Sequence, residues 1–117
     1  MIIRPKIYIA GQMTGIAGNN WDAFFVKEKV LTEAGWYPIN PAKMDKEIGM
    51  EPENMGEYSY EECAGRDIEV LRTCQAIYMM AGWQLSKGAC WERALAKYWG
   101  IKRYYEIPRA DHELRKD

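Results

Sequence analysis

Ala76-Ile-Tyr-Met-Met-Ala-Gly-Trp-Gln-Leu-Ser-Lys-Gly-Ala-Cys-Trp-Glu-Arg-Ala-Leu-Ala-Lys-Tyr-Trp-Gly100 is the stretch whose reading decides the fold. The apolar run Ala76 to Met80 has the length of a buried strand. It stops at Ala81-Gly82, and after a polar turn a helical pattern starts at Gly88. Trp91, Ala94, Leu95 and Tyr98 recur at i, i+3, i+4 and i+7, which predicts that they form the helix's buried stripe. Glu92 lies beside that stripe in the first turn. Gly88, Ala89, Leu95 and Ala96, one helical turn away, include no cation to pair with it. A glutamate at a helix start above the end of a parallel strand stands where open α/β sheets keep their ligands. The competing reading is a solvated glutamate favoured by the helix dipole.

Upstream, Lys6 to Ala10 is a β-branched and aromatic run and is read as a buried strand. Gly11-Gln12-Met13-Thr14-Gly15-Ile16-Ala17-Gly18 follows at once. Its glycines let backbone N–H groups approach a ligand, although a plain turn uses the same residues. Asn19 or Asn20 can cap the next helix, whose apolar face is Trp21, Phe24, Phe25, Leu31 and Ala34. Gly35 ends it, and Trp36 to Asn40 is a second strand closed by Pro41. Residues 42–59, with Met44, Gly49, Met50, Pro52, Met55 and Gly56, have the composition of an active-site lid that is helical in part. Tyr60 to Cys74 reads as a helix with the stripe Tyr60, Ala64, Ile68 and Leu71. Asp67 falls on that same face, where a carboxylate is costly without partners. Neighbouring backbone, Arg66 or Arg72 can supply them, or Asp67 serves a site.

A fourth strand at Lys102 to Ile107 completes an alternation of strands and helices. That order predicts a single α/β domain, a three-layer α/β/α sandwich around a small parallel sheet of four to five strands, flavodoxin- or Rossmann-like. The domain is expected over 1–109, with 110–117 a polar tail. At 117 residues the chain forms one core and not two. A net charge of −1 leaves no electrostatic footprint for a nucleic-acid polymer. No run has the length of a membrane span or the form of a signal peptide. Cys63, Cys74 and Cys90 make no C-x-x-C pair, and each falls inside a helical or strand pattern, so they read as reduced core residues of a cytoplasmic protein. The one histidine, His112, lies in the charged tail, so neither a histidine triad nor a multi-histidine metal site is expected.

Three segments together carry a resemblance. Tyr8-Ile-Ala-Gly11, Asp67-Ile-Glu-Val-Leu-Arg-Thr-Cys74 and Ser86-Lys-Gly88-Ala-Cys-Trp-Glu92 occur in the order and at the separation found in the nucleoside 2-deoxyribosyltransferase superfamily. The chain resembles that superfamily over most of 6–107, and within it the deoxynucleoside 5′-monophosphate N-glycosidases of a short, often phage-encoded branch. The resemblance implies Glu92 as the nucleophile on the anomeric carbon, giving a covalent deoxyribosyl ester. It implies that Asp67 binds the sugar hydroxyl and assists proton transfer, and that Tyr8 positions the ring. Gly11, Gln12, Met13 and Gly15, with Ser86 and Gly88, would bind the 5′ end of the substrate. No cofactor and no metal are implied, and a homodimer or higher homo-oligomer is.

The superfamily's transferases usually carry Asp where this chain has Ser86, whereas the monophosphate hydrolases carry Ser. A hydroxyl at a helix N-terminus suits a phosphate that a carboxylate would repel. Ser86 also reads as a plain N-cap, and the two roles are compatible. Trp83 and Trp91 add bulk near the expected site. The expectation is therefore a hydrolase cleaving the N-glycosidic bond of a 2′-deoxynucleoside 5′-monophosphate. Base exchange between nucleosides is the first alternative, and a non-catalytic nucleotide-binding sensor is the second.

Overall fold

Alternation along two strands sets up the molecule. In β1 (Lys6–Ala10), Ile7 and Ile9 pack into one core cluster and Tyr8 and Ala10 into another. In β3 (Ala76–Met79), Ala76 and Tyr78 join the first cluster, Ile77 and Met79 the second. Successive strand residues face opposite sides, so a strand apolar at every position needs cover on both faces. α1 (Trp21–Glu33) covers the first face through Trp21, Phe24 and Leu31. α3 (Tyr60–Arg72) and α4 (Lys87–Tyr98) cover the second through Leu71, Ala89 and Ala96. Each large apolar side chain so buried contributes about 1.5–3 kcal/mol.

The computed structural model describes residues 3–51, 60–107 and 110–116, with backbone alone at 60, 61 and 110–116. Besides the elements above it contains β2 (Tyr37–Ile39), α2 (Pro41–Glu47), β4 (Lys102–Ile107) and β5 (Ala110–Lys116). The sheet order is β2-β1-β3-β4-β5, parallel from β2 to β4. This is the three-layer α/β/α arrangement expected from the sequence. The chain leaves β1 to one side for β2 and returns on the other for β3, so a topological switch point lies between β1 and β3. Residues 110–116, expected as a polar tail, add β5 as an antiparallel edge strand, with a register irregularity at Glu106/Ile107. Charged residues are common on edge strands, where they discourage pairing with a second chain.

α1 and α4 end alike. After α1, Gly35 at φ +100° lets Trp36 N–H reach Leu31 O at 3.0 Å. After α4, Gly100 at φ +72° lets Ile101 N–H reach Ala96 O at 2.8 Å. These are left-handed glycine stops that satisfy terminal carbonyls. At the start of α1, Asn20 does occupy the capping position, but its side chain makes no cap hydrogen bond. Its Nδ2 instead donates to Gln12 O at 3.0 Å, tying the glycine loop to the helix start.

Two stripes differ from expectation. In α1, Ala34 is exposed, and Lys27 takes a place in the buried face, where it meets Glu106 Oε2 of β4 at 2.9 Å. Glu106 Oε1 also accepts from Ala81 N–H at 2.9 Å, so this ion pair holds the turn after β3. In α4, Trp91 is 67 % exposed, Tyr98 is 84 % exposed, and Ala94 also faces outward. The inward face is Ala89, Glu92, Arg93, Ala96 and Trp99, which also repeats at helical spacing. Periodicity alone favoured the bulkier set. The sheet selects the smaller one, because Ala89 and Ala96 let the helix approach β3 closely. Glu92 thereby lies within the inward stripe and not beside it.

Candidate functional site

The switch point opens into a cavity of about 410 Å³ above the carboxyl ends of β1 and β3. Tyr8 reaches it from β1, Asp67 from α3 and Glu92 from the first turns of α4. Tyr8 Oη donates to Glu92 Oε2 at 2.5 Å, and the Asp67 carboxylate lies near enough to act on both. One phenol thus shares a nearly dry place with two carboxyl groups. Burial lifts Glu92 to about 8, with Asp67 repelling its charge and the Tyr8 hydrogen bond working the other way. Burial also lifts Asp67, to about 6, against the pull of Arg66. Tyr8 is raised well above the ordinary phenol range by burial and by the two carboxylates, so it remains a proton donor.

Asp67 is held by Arg66, whose Nε and Nη2 donate to Oδ1 at 3.0 and 2.7 Å. Of the two arginines that could serve, Arg72 instead stacks on Trp99 with its guanidinium 5.6 Å from the ring centre. The same Arg66 Nη2 donates to Asp45 Oδ1 at 2.5 Å. Asp45 is 3 % exposed and also lines the cavity. Sequence reasoning missed it by treating 42–59 as one lid. The available signal was the start of α2, where Asn40 Oδ1 accepts from Ala42 and Lys43 N–H and Pro41 opens the helix. Pro41, Ala42 and Asp45 then share its buried face, and Met50 is core. The inner face of α2 is therefore packed, with Pro41 and Asp45 walling the cavity, while 52–59 of the expected lid lie outside the described residues.

The glycine loop enters the cavity at Gly11, Gln12, Met13 and Thr14, whereas Gly15 is not among the lining residues. Gly15 has φ +86°, which a side chain would strain, so it serves the turn. At Gly11 a Cβ would lie 3.0 Å from Met80 Cβ, so glycine there answers to packing beneath the loop as well as to access. Gln12 is seated over Gly82, where an added Cβ would come within 2.7 Å of Gln12 Oε1.

Ser86, Lys87 and Gly88 line the opposite wall. Ser86 Oγ accepts from Ala89 N–H at 3.1 Å and is the N-cap of α4. Its own O–H remains available to donate. Leu85 and Trp91 line the cavity too, and both are exposed. Trp83, the other tryptophan expected near the site, packs away from it, 5.9 Å from the Tyr105 ring and under the Arg93 guanidinium. The structure therefore brings Tyr8, Asp67, Glu92, Gly11, Gln12, Met13, Ser86 and Gly88 to one cavity, leaves out Gly15, and adds Asp45 and Thr14.

Among the described residues no group of three metal-ligating side chains stands together. No described helix is long and apolar enough to cross a membrane. The arrangement suits proton transfer between two carboxyl groups of unequal affinity, beside backbone and hydroxyl donors for an anion.

No curated protein and no solved structure matches the chain. Residues 5–105 match the family model described as a domain of unknown function (DUF4406), and the chain belongs to that family.

Proposed function

We propose that this protein is a hydrolase that cleaves the N-glycosidic bond of a 2′-deoxynucleoside 5′-monophosphate, with Glu92 as the nucleophile. The observation that carries the reading is the Tyr8 hydroxyl bonded to Glu92, with Asp67 beside them, inside a cavity large enough for a nucleotide. Asp67 lies near enough to Glu92 to repel its charge, and glycosidases that form a covalent glycosyl intermediate likewise use two neighbouring carboxyl groups. The resemblance to the nucleoside 2-deoxyribosyltransferase superfamily supplies the substrate class.

At neutral pH the empty cavity holds Glu92 mostly protonated and Asp67 mostly ionised. Passage of that proton to Asp67 leaves Glu92 anionic and Asp67 neutral. The Glu92 carboxylate attacks the anomeric carbon as the C–N bond breaks. The bonding pair leaves with the base, which takes the proton from Asp67. Water then attacks the same carbon, Glu92 departs as carboxylate, and Asp67 accepts the water's proton. The N–H groups at the start of α4 and the Ser86 hydroxyl receive the phosphate. A homodimer in the cytoplasm is part of this proposal. The exposed Leu85, Trp91 and Tyr98 beside and along α4 favour the dimer, and light scattering tests it.

The test is chromatographic base release from deoxynucleosides and their 5′-monophosphates, wild type beside Glu92→Gln. Release from monophosphates alone, lost by about 10⁴-fold in the variant, is the expected result. A new nucleoside formed on adding an acceptor base would make the protein a transferase. Tight binding without release would make it a sensor.

A further inference from the structure

We propose that Arg66 is a positioning residue for this reaction, fixing Asp67 against the Tyr8–Glu92 pair and tying that placement through Asp45 to the helix that walls the cavity. The role rests on the reaction proposed above, but its geometry stands by itself. Arg66 is not among the cavity-lining residues, whereas both carboxylates that it holds are. A single nitrogen, Nη2, lies 2.5 Å from Asp45 Oδ1 and 2.7 Å from Asp67 Oδ1. Adjacent residues on a helix do not face one another, so an Arg66–Asp67 pair is not a helical default. The guanidinium has to fold back over its own turn, and Asp45 of α2 is the tertiary partner that draws it there. With Oδ1 occupied by Arg66, Asp67 keeps Oδ2 for a sugar hydroxyl.

The charge around Asp67 makes this arrangement consequential. Tyr8 from β1, Asp45 from α2, Cys63 and Arg66 from α3 and Glu92 from α4 all act on or beside it. Arg66 is the one cation in that set. Without it, Asp67 sits buried next to another carboxylate and takes up a proton at neutral pH. A neutral Asp67 cannot accept the proton that Glu92 must lose. Lysine keeps the charge but not the second donor, Nε–H, that Arg66 gives to Asp67 Oδ1, so it restores the role in part.

The experiment titrates Asp67 by carboxyl-carbon NMR, assigned with Asp67→Asn, in wild type, Arg66→Gln, Arg66→Lys and Asp45→Asn. Base release is followed across pH in the same proteins. We expect the Asp67 midpoint to rise by about 1–3 pH units in Arg66→Gln. Arg66→Lys should recover part of that shift, and the acid limb of kcat should move with the midpoint while KM changes little. An unmoved midpoint in folded Arg66→Gln overturns the role. Should Arg66→Gln fail to fold, an Arg66→Lys protein with wild-type midpoint and kcat overturns it equally. A shifted midpoint in a protein whose wild type releases no base keeps the clamp and overturns the reaction, so the two failures are distinguishable.

Discussion

Tyr8 Oη donates to Glu92 Oε2 at 2.5 Å although 84 positions separate them in the chain. β1 and α4 have no reason to meet until β3 pairs with β1 and α4 packs on β3. The bond is thus a product of sheet order, and it places a phenol donor on a carboxyl that burial would otherwise leave unsupported.

Tyr8→Phe removes that donor. Since the hydrogen bond holds Glu92 down, its loss raises Glu92 further above about 8. We expect kcat for base release to fall by about 10²–10³-fold. The pH midpoint of activity should move upward, as read from initial rates between pH 5 and 10. A fall in kcat with a stationary midpoint would restrict Tyr8 to steering the sugar.

The raised Glu92 also makes stability depend on pH. Its ordinary value is 4.5 and its folded value about 8, so the folded state binds the extra proton between them. Stability from this group is fully present below about 4.5 and is lost as pH climbs through about 8, by a few kcal/mol as an upper bound. Asp67 adds a smaller loss of the same sign between 3.8 and about 6. Urea denaturation from pH 5 to 9 should therefore show wild type weakening with rising pH, and Glu92→Gln showing a much flatter profile above pH 6.

Ser86 is both a cap and a candidate anion ligand. Ser86→Ala should cost about 1 kcal/mol through loss of the bond from Ala89 N–H. If the hydroxyl also holds phosphate, KM for a 5′-monophosphate rises by roughly 10-fold while KM for the free nucleoside stays put. Equal KM changes for both substrates would leave Ser86 a cap and nothing more.

Lys27 and Glu106 form a buried pair between α1 and β4. Lys27→Met leaves the Glu106 charge uncompensated and should destabilise the protein by about 3 kcal/mol. Adding Glu106→Gln should recover most of that, since the amide oxygen can still accept from Ala81 N–H. Thermal unfolding of the two variants measures the difference.

Strand runs, one glycine stop and element order were legible in the sequence because they depend on local rules. Ile7 and Ile9 read as buried from their own neighbours, and Gly35 as a helix end from its own. Asp67 and Glu92 stood out because acids placed among apolar residues need a reason. Asp45 did not stand out, because its burial comes from α2 closing over the cavity, and nothing within residues 42–51 announces that wall.

The amino-acid sequence by itself determined that strands and helices alternate, and hence that a parallel sheet forms; the strand order that puts the switch point between β1 and β3 came from the tertiary structure. It also determined which acids needed explaining. Only the tertiary structure decided which face of α4 turns inward, since Trp91 and Tyr98 obey the same helical period as Ala89, Glu92 and Ala96. Period identifies a face but not its direction. That direction is set by how closely a helix can approach the sheet, which here favours the small residues and carries Glu92 in to Tyr8.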